Sequence, residues 1–327
     1  MNNTSNCRVL VTGSLAYDFI LTYPGKFQDH ILPDKLHMIN VSFLVDKVKK
    51  QRGGVAGNVG YTMALMGEQA RILATAGNDF QAYSDFLEEQ GVLVDHIKVV
   101  EDEMTATCFI TTDMKHNQIT GFYTGAMSQA RELSVKEALK GAPYVIVSPD
   151  DPEAMKRHCR EAKDAGATLI YDPSFQVLAM DGEFLWEGAR GAKALILNDY
   201  EFSMFQEKTG KSIEELHAEI EVLVVTLGEA GSRIMPRGES EILIQPAKTE
   251  AAVDPTGCGD AYRGGFLTGL VNGCSLKECG QLGSVASVFV VEHYGTQSHS
   301  YTRAEFATRY KSVYNTLPAF LQEASLV

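Results

Sequence analysis

No uninterrupted apolar run in this sequence approaches the roughly 20 residues that a membrane-spanning helix needs. The opening residues, MNNTSNCRVLVTG, lack both the basic and the apolar segment of an export signal. Positive charge is in short supply too: 29 Lys and Arg stand against 42 Asp and Glu, a formal net charge of −13. Most of the surface therefore repels the phosphates of nucleic acid, although a local basic pocket is compatible with that total. The six cysteines (Cys7, Cys108, Cys159, Cys258, Cys274, Cys279) lack the paired close spacings of a metal site and are read as free thiols. Free thiols and no export signal make the cytoplasm the expected location. Two phosphate-binding fingerprints are missing as well. No G-x-G-x-x-G follows the first apolar run, VLVTGSLAYD, which excludes the usual dinucleotide fold, and no G-x-x-x-x-G-K-[ST] occurs anywhere.

What is present is an ordinary globular composition, 45% apolar and 22% charged in 327 residues. Short β-branched runs recur: CRVLVTG (7–13), ARILATAG (70–77), YVIVS (144–148), TLIYD (168–172), ALILN (194–198) and VLVVTLG (222–228). Such runs suit strands buried on both faces. Between them lie segments of helical spacing, among them 151–167 and 201–210, and the C-terminal third reads as helices over 260–273, 276–291 and 303–316. Strand alternating with helix predicts an α/β fold, a doubly wound and mainly parallel sheet flanked by helices. Two regions, 17–52 and 104–124, alternate instead, as in HMINVSFLV and ATCFITTD, and predict a small antiparallel sheet acting as a lid. No Ser/Gly-rich linker or internal repeat divides the chain, so 1–327 reads as a single domain with that lid.

The stretch DPTGCGDAYRGGF (254–266) carries the sharpest chemistry. Gly257, Cys258 and Gly259 have little side chain to cover their amides. If a helix starts beside Asp260, the N–H groups of 257–260 face outward at the positive end of its dipole, a ready anion site. A carboxylate beside a bound phosphate suits taking a proton from an attacking hydroxyl. In isolation the same stretch would be an ordinary helix cap.

The neighbouring motifs turn the balance: DPTGCGDAYRGGFL resembles the C-terminal signature of the ribokinase-like, PfkB-type carbohydrate and nucleoside kinases. The resemblance implies that Asp260 is the catalytic base and that Gly257, Cys258 and Gly259 form the anion hole. Cys258 departs from the usual Ala; the turn would lower its thiol pKa, unless it serves merely as a small residue. The second family signature matches GGVAGNVGYTMALMG (53–67), where Gly53 and Gly54 would let a lid strand hinge and Asn58 would offer a donor and an acceptor to sugar hydroxyls. Asp18 falls where the family grips two adjacent sugar hydroxyls. Asn198 and Glu201 of NDYE match the Asn-x-x-Glu element that organises Mg²⁺ and phosphate, largely through water. Thr226, Gly228 and Gly231 of TLGEAGS resemble the turn beside the ATP phosphates and ribose. Asp254 and Thr256, with Gly295, sit where some relatives hold K⁺.

The resemblance spans about 7–315 and is nearest to the archaeal-type nucleoside kinases, on NQITGFYTGA (117–126), SPDDPEAM (148–155) and the tail from 259 to 297. Arg263, where many sugar kinases have a small residue, could clamp a phosphoryl oxygen or form a structural ion pair. The implied activity is ATP-dependent phosphorylation of a ribonucleoside 5′-hydroxyl, adenosine foremost, with ATP, Mg²⁺ and optional K⁺ as cofactors. The implied partners are small molecules, with neither nucleic acid nor membrane, and a homodimer is mildly preferred because an exposed lid sheet often finds a partner. A kinase for ribose or a ketose, and a non-catalytic nucleoside-binding regulator, remain the competing readings. Phe109, Ile119 and Phe122 are candidates for a base slot, but alternation divides them between the two faces of a strand pair.

Overall fold

The computed structural model describes residues 7–30, 41–115, 117–249 and 251–322. The apolar runs become strands because their β-branched side chains fill both faces of a covered sheet. In chain order the strands are β1 (Val9–Thr12), β2 (Ala16–Thr22), β3 (Lys47–Gly53), β4 (Ala70–Gly77), β5 (Leu93–Val100), β6 (Ala106–Thr112), β7 (Gln118–Tyr123), β8 (Tyr144–Val147), β9 (Thr168–Tyr171), β10 (Ala194–Asn198), β11 (Val222–Thr226), β12 (Ser232–Pro236) and β13 (Ile242–Ile244). Nine of them form one sheet in the order β13-β12-β11-β10-β9-β8-β1-β4-β5. From β11 through β5 every pairing is parallel, and β12 and β13 add an antiparallel edge. Every residue of β1 and β4 is buried, including Arg71, which binds Asp95 through Nε at 2.9 Å. Each fully buried Val, Leu or Ile side chain contributes roughly 1.5–3 kcal/mol, so this sheet is the stable frame.

Helices cover both faces. Tyr262 and Phe266 of Cys258–Val271 pack with Val9, Val11 and Ile146 on one side, and Met155, Cys159, Phe202 and Phe205 pack with Leu10, Val145 and Leu195 on the other. The predicted helices at 151–167 and 201–210 are Pro152–Asp164 and Asp199–Thr209, and the last three are Cys258–Val271, Leu276–Val291 and Arg303–Tyr314. The helix read as starting at 260 begins two residues earlier, because Gly257 takes a left-handed N-cap conformation (φ 81°) and turns the chain into it.

Strand order reverses between β1 and β8. From β1 the chain runs outward through β4 and β5, then returns to β8 and runs the other way. In open parallel sheets a ligand crevice forms at such a reversal, beyond the carboxyl ends of the strands. Directly after β1, Ser14 N–H donates to the Pro149 carbonyl at 2.8 Å and Ser14 Oγ accepts from Val55 N–H at 3.2 Å, tying the crevice to the helix Val55–Leu65.

The four remaining strands make a second sheet, ordered β3-β2-β6-β7. Its residues come from the two alternating regions of the sequence, with two corrections. The sheet is mixed rather than antiparallel, because β2 and β6, which come from the two separate excursions of the chain, run parallel. The HMINVSFLV stretch was expected as a strand; 37–40 lie outside the described residues and 41–45 have no regular structure, the strand being Lys47–Gly53 instead. The lysine-rich segment pairs because it is an edge strand whose long side chains reach solvent while its backbone bonds β2 along its whole length. The pairing also resolves the base-slot candidates. Asp18, Cys108 and Phe122 stand in one row on one face, whereas Phe109 stacks on Phe19 (5.5 Å) on the other. Among the described residues Ala16 and Ala106 of this sheet form a small cluster with Met127, which follows β7 in the chain, Tyr17 joins the main core, and β7 is exposed throughout.

Candidate active site

The turn before Cys258–Val271 is fixed by packing. A Cβ at Gly257 would lie 2.7 Å from Thr296 Cγ2, so φ 81° and the close approach both require glycine there. Four outward amides were expected at 257–260. The Cys258 N–H is instead spent on the Pro255 carbonyl at 3.2 Å, while among the described residues those of Gly257, Gly259 and Asp260 have no protein acceptor. Three free amides at a helix N-terminus still make an anion site. The thiol of Cys258 is not activated: it turns toward the Ser287 carbonyl, 3.6 Å away, and burial together with Asp254 and Asp260 pushes its pKa up to about 12. The lowered pKa expected from the turn is corrected, because the sulfur points into the protein and away from the amides.

Asp260 stands at the centre. Asn58 Nδ2 donates to its Oδ2 at 2.8 Å, and Arg263 Nη1 lies 4.0 Å from Oδ1. Burial raises its pKa, opposed by Arg263 and the Asn58 hydrogen bond and reinforced by Glu201. A carboxylate tuned upward but still 16% exposed can accept a proton from a group at its open side. Asn58 was expected to face sugar hydroxyls with both ends of its amide. Its carbonyl instead accepts from Gln297 Nε2 at 2.8 Å, which leaves only the second Nδ2 hydrogen for a ligand. Gln297 also bonds the Tyr83 hydroxyl, and Tyr83 donates to the Gly53 carbonyl at 2.9 Å. A continuous chain of hydrogen bonds thus connects the double glycine to Asp260.

Asp18 enters from the small sheet. A Cβ at Gly53 would come within 2.7 Å of Asp18 Oδ2, so the first glycine of the pair makes room for this carboxylate. Gly54 (φ 86°) would meet the Leu15–Ala16 backbone at 2.6–2.7 Å, so it too is a packing requirement. Burial, then Asp254, then Asp260 push the Asp18 pKa up to about 6. The site therefore brings Asp18, Gly53, Asn58, Asp254 and Asp260 together.

Arg263 is a buried ion-pair residue. Its Nε lies 2.5 Å from Asp172 Oδ2, and a Cβ on Gly259 would touch its Nη1 at 2.7 Å. Burial raises Asp172 to a pKa of about 7, with Arg263 opposing the shift. Removing one partner of a buried pair typically costs about 3–5 kcal/mol, and this pair supports Asp260 from below. Asp172, Tyr83 and Gln297 were missed in the sequence. Asp172 did carry a signal, since it ends the buried run TLIYD at the carboxyl edge of β9.

The motifs assigned to nucleotide stand further along the same edge. Asn198 pairs with Thr226 at the ends of β10 and β11. Asn198 and Glu201 form a reciprocal capping box, with Glu201 N–H to Asn198 Oδ1 at 2.7 Å, Asn198 N–H to Glu201 Oε2 at 2.9 Å and Ser174 Oγ to Glu201 Oε1 at 3.2 Å. Gly228 (φ 57°) has open space around its Cβ position, whereas Gly231 is demanded by packing, since a Cβ would sit 2.0 Å from the Ile244 carbonyl. Asp254 accepts from Thr256 N–H and Gly295 N–H, both at 3.0 Å, which closes a loop beside the turn that carries Asp260.

The donor set fits the Mg²⁺ that the resemblance implies, in one particular way. Among the described residues no three His, Cys, Asp or Glu side chains gather as a metal cage. Yet Asp172, Glu201 and Asp260 all face the one cation Arg263; the charges of Glu201 and Asp260 help to raise the pKa of Asp172, and that of Glu201 helps to raise Asp260. That excess of negative charge suits an ion held by nucleotide phosphates and water.

Comparison with known proteins agrees with this geometry. The pattern of the pfkB family carbohydrate kinases matches residues 8–303. A nucleoside kinase of Methanothermobacter thermautotrophicus is 30% identical over 315 residues, 95% of this chain and 97% of that protein. The structure of Burkholderia thailandensis nucleoside kinase in complex with inosine superposes with a TM-score of 0.85 at 37% identity, covering 95% of this chain and 99% of that one. The same protein in complex with ADP-inosine gives 0.83 at 38%, covering 95% and 97%. Among the described residues no helix is long and apolar enough to cross a membrane.

Proposed function

This chain belongs to the pfkB family of carbohydrate kinases, phosphotransferases that act on a hydroxyl acceptor, and on that premise we propose that it moves the γ-phosphoryl group of ATP to the 5′-hydroxyl of a ribonucleoside. Adenosine and inosine are the acceptors to try first. The observation that carries the reading is the junction of Asn58 with Asp260 at 2.8 Å in a site where Asp18 feels the charge of both Asp254 and Asp260. Support for a nucleoside comes from similarity to proteins named nucleoside kinases, one of them solved with inosine.

In this reading Asp18 accepts hydrogen bonds from the 2′ and 3′ hydroxyls, and the free Nδ2 hydrogen of Asn58 bonds the sugar. Phe122, in the row of Asp18, offers a platform on which a base can stack. The 5′-oxygen then reaches Asp260, which takes its proton as it attacks the γ-phosphorus and ADP leaves. The amides of Gly257, Gly259 and Asp260 hold the charge that grows on the phosphoryl oxygens, so catalysis is positioning plus electrostatics. Arg263 works through Asp260 and Asp172 rather than on phosphate. Mg²⁺ bound with the nucleotide neutralises phosphate charge, and Asn198 and Glu201 would hold it through water. Thr226, Gly228 and Gly231 border the nucleotide. The small sheet acts as the lid that excludes water. Asp254, Thr256 and Gly295 form the loop that K⁺ would brace, and rates compared in K⁺ and Na⁺ buffers test that part.

An acceptor panel with Mg·ATP and coupled ADP detection tests the whole. Purine ribonucleosides should turn over at least about tenfold better in kcat/KM than ribose or fructose. Sugars turning over better would make this a sugar kinase, and nucleoside binding with no ADP formed would make it a binding protein.

A further inference from the structure

A cavity of about 340 Å³ opens at the free edge of β3, lined by Lys49, Lys50, Arg52, Tyr17, Tyr83 and the segment 295–298. It collects three cations and no carboxylate in a chain whose net charge is −13. Among the described residues none of the three has an acidic partner. The Lys50 ammonium rests 3.5 Å over the Tyr17 ring and the Arg52 guanidinium 3.6 Å over the Phe86 ring, with Arg52 Nε buried and lacking an acceptor. Aromatic faces hold cations in place without cancelling their charge, so Lys50 and Arg52, two residues apart on one face of β3, keep their positive charge side by side, an arrangement that an anion relieves.

We propose that this cavity is a second, non-catalytic site for a small phosphate ester. The Lys50 ammonium and the Arg52 fork match the oxygens of a phosphate dianion, while Lys49, which strand alternation sets on the other face of β3, adds positive charge to the lining. The volume exceeds what an inorganic phosphate fills and leaves the Tyr17 and Tyr83 rings to contact an organic body such as a pentose. The site communicates with the chemistry through its floor. Gln297 bonds Asn58, Thr296 packs on Gly257 and donates to the Arg52 carbonyl at 3.0 Å, and Gly295 N–H bonds Asp254. A bound ester that braces 295–298 therefore acts on the turn holding Asp260.

The test is calorimetric titration of the full chain with ribose 5-phosphate, beside inorganic phosphate, for the wild type and for Lys49→Gln/Lys50→Gln. Both lysines are exposed and neither belongs to the catalytic machinery, so the variant should keep the wild-type melting temperature. The expected result is submillimolar binding of the ester, weakened about tenfold or more by the double substitution. Equal affinity in the double variant, or no ester binding at roughly 10 mM, overturns the site; inorganic phosphate binding as tightly as the ester overturns the assignment of an organic body. This arm needs no turnover, so its failure is separate from any failure of the kinase reading. In the kinase assay, the ester should shift kcat at least about twofold in the wild type and not in the double variant; an unmoved wild type overturns the coupling to the turn.

Discussion

The turn that carries Asp260 and the sheet that carries Asp18 are built in opposite ways. The turn begins a helix buried along most of its length, its backbone is fixed by contacts in which a Cβ at Gly257 or Gly259 would collide, and its acid is braced by Asn58 and by the Arg263–Asp172 pair. The small sheet contributes Ala16 and Ala106 to a three-residue cluster closed by Met127, and has one strand exposed throughout. Rigid placement belongs where charge develops, and a weakly anchored element belongs where a substrate must enter and leave. The difference teaches a division of labour: the turn should govern kcat and the sheet should govern KM.

The largest effect tests the turn. Asp260→Asn keeps the shape and the acceptor for Asn58 but removes the proposed base, and turnover should fall roughly 10²- to 10⁴-fold with nucleoside affinity largely kept, measured by steady-state kinetics and calorimetry. Next comes the sheet. Asp18→Asn should cost about ten- to a hundredfold in kcat/KM, mostly through KM, as expected for losing a charged hydrogen-bond acceptor. Since burial places Asp18 near pKa 6, wild-type kcat/KM should fall as pH drops below about 6, and that limb should weaken in the variant. A kcat loss equal to that of Asp260→Asn would break the comparison. Phe122→Ala should raise nucleoside KM about tenfold, the value of one stacked base, with kcat little changed.

The smallest effect lies in the frame beneath both regions. Asp150 is buried, accepts from the Asp151 N–H at 2.8 Å, and has its carboxyl pushed to a pKa of about 8 by burial. Its folded pKa is above the unfolded value, so the stability it supplies is full at low pH and is lost as pH rises through 8. Asp150→Asn cannot ionise. Its melting temperature should match the wild type near pH 4 and at pH 9 exceed it by more than the roughly 2–4 °C that about 1 kcal/mol is worth, with kcat and KM unchanged at pH 7.

The same contrast explains what the sequence disclosed. ARILATAG and ALILN match β4 and β10 residue for residue, because strands covered on both faces are almost purely apolar. LVDHIKVV was passed over as β5, since its charged and polar residues interrupt the pattern at an edge strand of the large sheet. The lysine-rich β3 was misplaced for a related reason: an exposed edge needs no apolar alternation. In the site, the glycine turn and its Asp were legible because the required backbone shape restricts residue choice locally. Tyr83 and Gln297 were not, since their contacts with Asn58 and Gly53 join positions up to 239 residues apart, and in the sequence Tyr83 is one more aromatic on an amphipathic helix. The inward turn of Cys258 likewise depends on Ser287, in the following helix.

The proposed placement of Asp18 on the sugar's paired hydroxyls and Asp260 on its remaining one would fix which oxygen is phosphorylated. Incubating the full chain with inosine and Mg·ATP and locating the new ester by phosphorus–proton NMR correlation tests that directly. Phosphate on the 5′-oxygen, with one ADP formed per ester, is the result the account predicts. Phosphate on the 2′- or 3′-oxygen, or ADP released with only free phosphate, would contradict it.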